Sequence, residues 1–175
     1  MKRTIAIVAG GDSSELVVSL RSAQGLYSFI DKERYNLYIV EMEGHRWEVV
    51  LPDGSKTPID RNDFSFMENG EKKHFDFAYI TIHGTPGENG ILQGYFDLLG
   101  IPYSSCNVLV SAMTFNKFTC NQYLKGFGIR VAESLILRKG FEITDEEVIN
   151  ENWSALVSSK TQRRRFQLRC HQSKD

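Results

Sequence analysis

The stretch that most constrains this chain is Thr4–Ala9, an unbroken apolar run that stops at Gly10-Gly11. A short apolar run without polar alternation, ended by a glycine turn, reads as a strand covered on both faces, and such strands belong to parallel sheets. Asp12-Ser-Ser-Glu15 follows with the spacing of a capping box, so the sequence predicts a helix opening there. Leu16, Leu20, Ala23, Tyr27 and Ile30 then recur at helical intervals and give one apolar stripe. Tyr35–Met42 reads as a second strand. Strand, glycine turn, helix and strand are the opening of an α/β fold with an open parallel, Rossmann-like sheet.

Further along, Arg46–Leu51 and Lys56–Asp60 flank the turn sequence Pro52-Asp-Gly-Ser, which predicts an inserted β-hairpin. Asp63–Lys73 is polar and carries no pattern. Phe75–Ile82 is another apolar strand, ending at His83-Gly84, and Gly90–Leu99 a short helix stopped by Gly100 and Pro102. Asn107 is placed to cap a helix running to about Leu124, closed by Gly126 and Gly128. Ser134–Arg138 reads as a strand, and Thr144-Asp-Glu-Glu147 as a capping box for a last helix. In an open sheet of this kind ligands gather beyond the carboxyl ends of the strands. Two loops fall there, Gly10–Glu15 and His83–Gly90.

Composition excludes several classes. Hydrophobic residues are 41% of the 175 and aromatics 11%, enough for a sizeable core. Residues 160–175 hold six Lys/Arg against Asp175, a local +5, so residues 1–159 carry −6 of the net −1. An acidic body argues against nucleic acid as a partner, and the basic tail has to be explained separately. Three cysteines without a C-x-x-C pair argue against a disulfide framework or a structural zinc site, and suit a reducing, cytoplasmic setting. No run approaches the roughly 18 apolar residues of a membrane span, so no membrane partner is expected.

The first loop admits two readings. A glycine turn at a helix start offers N–H groups to an anion, but the G-x-G-x-x-G spacing is absent and Glu15 stands where its third glycine would fall. Glu15 is then either a helix-dipole partner or a carboxylate presented to an ammonium group. The second loop, His83-Gly-Thr-Pro-Gly-Glu-Asn-Gly-Ile-Leu-Gln-Gly94, is more informative. So glycine-rich and polar a segment directly after a buried strand costs the fold unless its backbone must bend tightly around something. Its glycines leave the His83 imidazole uncrowded at the ligand edge.

This second loop resembles the N-terminal signature of the D-alanine–D-alanine ligases, written H-G-x-x-G-E-[D/N]-G-x-[I/L]-Q-G. The opening Ile5–Glu15 with Val18-Ser19-Leu20, and Gly100-Ile-Pro-Tyr103 with Ser111-Ala112-Met113 and Lys117, are similar to further segments of that family. The resemblance covers about residues 3–149. It implies an N-terminal substrate-binding α/β domain over 1–125, then the start of a truncated ATP-grasp central domain over 126–150. It also implies an ATP-dependent ligase that joins two D-alanines through an acyl phosphate for peptidoglycan synthesis. Glu15 would fix the ammonium of the first D-alanine, with Val18 lining that subsite and His83 orienting the reacting carboxyl group. Lys117 would reach the nucleotide phosphates. ATP and Mg2+ are implied for the complete enzyme, with the metal ligands absent from this chain, and so is a homodimer. The choice between D-alanine and D-lactate as second substrate stays open. A non-catalytic Rossmann-like module for a nucleotide or small anion is the alternative from another class.

From Glu151 onward the family pattern stops. The tail has no strand or helix period and carries Arg163-Arg164-Arg165, as a nucleic-acid or membrane-surface tail would. Reverse-translated with permitted codons and read one base later, Glu151–Ala155 becomes Lys-Ile-Gly-Leu-Pro. Lys160–Arg169 becomes Lys-Pro-Asn-Asp-Gly-Gly-Ser-Ser-Phe-Gly, a glycine loop where the family expects its phosphate loop. The sequence therefore points to a frameshift, with 151–175 a basic, poorly ordered tail and the chain as written inactive.

Overall fold

The computed structural model describes residues 2–132, 134, 158–161 and 164–167. The chain divides into two compact units, Met1–Cys120 and Asn121–Asp175. The first begins with β1 (Arg3–Gly10), α1 (Leu16–Phe29) and β2 (Tyr35–Glu43). The hairpin β3 (Arg46–Val50) and β4 (Lys56–Asp60) follows, and then the short strands β5 (Ser65–Glu68) and β6 (Glu71–Lys73). After β7 (Phe77–Ile80) come α2 (Ile91–Leu99), α3 (Val108–Phe115) and α4 (Lys117–Gly126), the last of which runs into the second unit.

Seven strands form one sheet in the order β6-β5-β4-β3-β2-β1-β7. The expected parallel sheet is its core: β1 pairs parallel with β2, Arg3 opposite Tyr35, and with β7, Ile5 opposite Phe77. From β2 outward the pairing is antiparallel through β3, β4, β5 and β6, so the whole sheet is mixed. The reason lies in the connections. Short turns such as Pro52–Ser55 can join only antiparallel neighbours, whereas α1 is long enough to carry the chain back for a parallel one. The outer edge of β7 is covered by the 102–104 segment, where Ala78 N–H donates to Pro102 O at 2.9 Å and Ser104 N–H to Ala78 O at 3.1 Å.

The alternation of β1 decides how the layers pack. Ile7 and Ala9 face α1, where they meet Ala23 with Leu20, Tyr27 and Ile30 around them. Ala6 and Val8 face the other way into the larger core with Val40, Val49, Leu92 and Phe96. All four β1 residues are fully buried, which is why this strand shows no polar alternation. Removing that apolar area from water is the main term holding the two helical layers to the sheet, at about 25 cal/mol per Å2.

Two local expectations are corrected. The capping box at Asp12–Glu15 does not form: α1 starts at Leu16 with no side-chain cap, and the Asp12 carboxylate instead accepts from Gly44 N–H at 2.8 Å. The single helix from Asn107 to Leu124 is two helices. Asn107 caps α3 through Val110 N–H, as its position predicts, but Asn116 is extended, and its carboxamide oxygen accepts from Thr119 N–H at 3.1 Å to start α4. An Asn inside a helix competes for backbone donors in this way. The strand expected at Ser134–Arg138, apart from Ser134, and the helix expected at Thr144–Glu147 lie outside the described residues. In the second unit β8 (Ser158–Thr161) pairs antiparallel with β9 (Arg164–Gln167), a ribbon that no strand period announces.

Candidate active site

The site is built where β1 and β7 end side by side. Gly10 and Gly11 carry β1 into α1 with φ of 106° and 97°, a region that L side chains rarely enter. Space is as decisive as conformation. A Cβ on Gly10 would lie 2.2 Å from Met42 O, and one on Gly11 would lie 2.6 Å from the Ile82 Cγ2 methyl. The turn is thus wedged between the ends of β2 and β7, with Gly11 N–H donating to Met42 O at 2.7 Å and Asp12 N–H to Thr85 O at 3.1 Å. Behind it, the buried Ser19 hydroxyl accepts from Gly10 N–H at 3.0 Å, and the Thr81 hydroxyl donates to Val8 O at 3.0 Å.

One hydroxyl joins the two loops. Ser13 Oγ donates to His83 O at 2.9 Å and accepts from Glu15 N–H at 3.1 Å. With the backbones so linked, the side chains converge: His83 Nδ1 stands 3.9 Å from Glu15 Oε2. That is an ion-pair distance when the imidazole is protonated and too long for a hydrogen bond. Both side chains remain about two-fifths exposed, so each can meet a small solute. The His83 loop turns back on itself through Gly84 N–H to Glu88 Oε2 at 2.7 Å and Glu88 N–H to Gly84 O at 2.8 Å.

Of the four residues marked in the sequence, Glu15 and His83 are therefore brought together. Val18 lies on the first turns of α1, about half exposed. Lys117 opens α4 with its side chain exposed. Among the described residues no group of three or more His, Cys, Asp or Glu side chains is placed to hold a metal ion. Sequence reasoning passed over Ser13 and Gln93. For Ser13 the signal was its place in the glycine turn; for Gln93 it was an amide on the otherwise apolar buried face of α2, beside Leu92 and Phe96.

A parallel core with two loops converging at its carboxyl edge, one offering a carboxylate and the other an imidazole, defines an α/β domain with a candidate site at that edge. The family follows from comparison. The model for "D-ala D-ala ligase N-terminus" matches residues 4–106, more than half of the chain, and the chain belongs to that family. It is 99% identical over 151 residues to the D-alanine–D-alanine ligase of Phocaeicola vulgatus, which covers 86% of this chain and 47% of that protein. The chain thus spans about half the length of the curated relatives it matches. Among solved structures, the D-alanine–D-alanine ligase of Coxiella burnetii superposes with a TM-score of 0.75 at 25% identity, over 87% of this chain and 49% of that one. That of Bacillus anthracis, complexed with ATP, gives 0.65 at 27% identity, over 86% and 43%.

Proposed function

We propose that residues 1–120 form the part of a D-alanine–D-alanine ligase that receives the first D-alanine. The observation that carries this reading is the 3.9 Å approach of Glu15 and His83 across two loops tied by Ser13. The Glu15 carboxylate would take the ammonium group of D-alanine through charge-assisted hydrogen bonds. The His83 imidazole would stand beside the substrate carboxylate and fix its direction, while Val18 meets the methyl side of the molecule. Holding the nucleophile or electrophile in one orientation is worth much of a ligase's rate.

ATP and Mg2+ enter this reading through the family, and Lys117 is the residue proposed to meet the nucleotide phosphates. Among the described residues no group of three or more His, Cys, Asp or Glu is placed to hold a magnesium ion. No helix among them is long and apolar enough to cross a membrane. With D-alanine as substrate, the proposed setting is the cytoplasm, and the complete enzyme is proposed to be a homodimer. The proposed frameshift rests on the tail's hidden glycine loop and on the near-identity that covers 151 of the 175 residues. The DNA sequence around codon 150 tests it, since a stop codon soon after the restored frame would leave the tail unexplained.

The binding reading is tested by titrating D-alanine, L-alanine and ATP separately into the labelled chain and following amide and imidazole NMR signals. D-alanine should move Glu15, His83 and Gly84, and L-alanine should move them less. A response to ATP at the Gly10–Glu15 loop with none to D-alanine would replace this reading with a nucleotide-binding module.

A further inference from the structure

The glycines of the His83 loop allow many conformations, so something must select one. Gln93, on α2, is fully buried, and its amide nitrogen donates to Gly87 O at 2.6 Å and to Ser105 Oγ at 2.8 Å. Gly87 sits hard against the strand end, where a Cβ would lie 2.5 Å from Ile82 O and 2.6 Å from Ile82 Cβ. Ile82 is the residue before His83. One amide therefore ties the middle of the loop to the stretch after Pro102, and through Gly87 the loop is set against Ile82, just beyond β7.

The direction of the amide is fixed by chemistry. Gly87 O can only accept, so the group facing it at 2.6 Å must be the nitrogen. This leaves Gln93 Oε1 buried without a hydrogen-bond partner. A leucine or methionine of similar volume would fill α2 without that penalty, and a buried orphan acceptor asks for a reason. The only thing the amide supplies that an apolar side chain cannot is its pair of donors to Gly87 and Ser105.

We propose that Gln93 is the positioning residue of the site, holding Gly87 against Ile82 so that His83 faces Glu15. This rests on the D-alanine reading for its purpose, though not for its geometry. The test compares Gln93→Leu, Gln93→Glu and Ser105→Ala in the full 175-residue chain, read by hydrogen exchange and by the His83 imidazole resonances. In Gln93→Leu the amides of Gly84 and Glu88 should exchange about tenfold faster, as loss of a hydrogen bond permits. The His83 resonances should shift or broaden, while amides of β1 and β2 keep their protection. Gln93→Glu should restore the ordinary pattern at acid pH, where a protonated carboxyl again donates to Gly87 O, and lose it as pH rises. Ser105→Ala removes one of the two bonds and should give a smaller change in the same direction.

Unchanged His83 resonances and loop exchange in Gln93→Leu would overturn the proposal. So would a uniform rise in exchange through β1 and β2, which would make Gln93 a packing residue only. D-alanine added to the unaltered chain separates the two questions. If it moves no signal while Gln93→Leu still frees the loop, the substrate reading fails and the positioning role stands.

Discussion

The two halves of the sheet are held by different physics. The parallel core, β2-β1-β7, buries apolar residues on both faces, and the loops at its carboxyl end carry Glu15 and His83. The antiparallel wing, β3 to β6, closes over a group of aromatic rings. Phe66 stacks on Phe75 at 5.1 Å, Phe64 meets Phe96 edge-on at 5.0 Å, and Trp47 meets Tyr95 at 5.5 Å. Beside this group lies a polar triad that links β2 to the wing: the Tyr38 hydroxyl donates to Glu68 Oε2 at 2.9 Å, and the partly exposed Lys73 forms an ion pair with the same carboxylate. None of the candidate site residues comes from the wing. The candidate site thus belongs to the core, and the wing contributes to stability.

The sharpest way to break this comparison uses glycine. Gly10→Ala drives a methyl group into Met42 O, a backbone atom that cannot move without unpairing β1 from β2. Together with the positive φ this should leave no folded protein, seen as loss of near-ultraviolet circular dichroism. Gly54 in the wing has a φ of 83° but nothing within 4 Å of an added Cβ. Gly54→Ala should therefore cost only the conformational strain, about 1–2 kcal/mol by urea unfolding. Equal effects at both positions would mean that strain alone matters and that the wedge in the core loop does not.

Next in size is Phe66→Ala. The residue is only 2% exposed, and its ring packs on both Tyr38 and Phe75. Truncation should cost about 3–5 kcal/mol while leaving the D-alanine response of any folded fraction intact. A lost response at full folding would show that the wing reaches into the site.

The wing was also the less legible half. Thr4–Ala9 and Tyr35–Met42 announced themselves because strands buried on both faces need continuous apolar runs. The β3–β4 hairpin was visible in its turn residues. Asp63–Lys73 showed nothing, because β5 and β6 are short and expose Met67, Glu71 and Lys72, while Phe64 and Phe66 are buried by contacts distant in sequence. At the site, Glu15 and His83 could be named from their loops and from the family pattern. The Ser13 bridge and the Gln93 clamp could not be named, because both depend on which backbone carbonyl lies within reach. The failed capping box has the same cause: a tertiary partner, Gly44 N–H, takes the Asp12 carboxylate.

The polar triad gives a third, smaller effect with a pH signature. The Lys73 ammonium beside Glu68 holds that carboxyl below its ordinary value, and the Lys72 ammonium with the Ser65 hydroxyl brings Asp63 down to about 2. Carboxylates with depressed pKa values bind fewer protons when folded than when unfolded. Their contribution is complete above the unfolded value, near pH 4, and is lost as pH falls through the folded one. From these carboxylates the unfolding free energy should therefore be flat between about pH 5 and 9 and decline toward pH 2. Glu68→Gln should lower the plateau by about 1.5–3 kcal/mol and flatten the acid decline, since one of its sources is gone. An acid decline as steep as before would assign it to Asp63 and other surface carboxylates.

The smallest effect on stability is expected where the proposed chemistry is greatest. Glu15 is two-fifths exposed, makes no side-chain cap for α1, and faces His83 at ion-pair distance in water, where such pairs contribute little. Glu15→Gln keeps the shape of the side chain and its oxygen but removes the charge that would hold an ammonium group. The unfolding midpoint should stay within the range of about 0.5 kcal/mol typical of surface substitutions. The D-alanine-induced NMR shifts at His83 and Gly84 should nevertheless disappear. Lys117→Ala, at the exposed start of α4, serves as the control: it should be as silent in stability and should leave the D-alanine shifts in place, because its proposed partner is the nucleotide. If Glu15→Gln lowered stability by several kcal/mol, the residue would belong to the fold, as the residues of the wing do. If both variants still responded to D-alanine, the ammonium would be held elsewhere, and the comparison of a binding core with a structural wing would have to be redrawn around that second position.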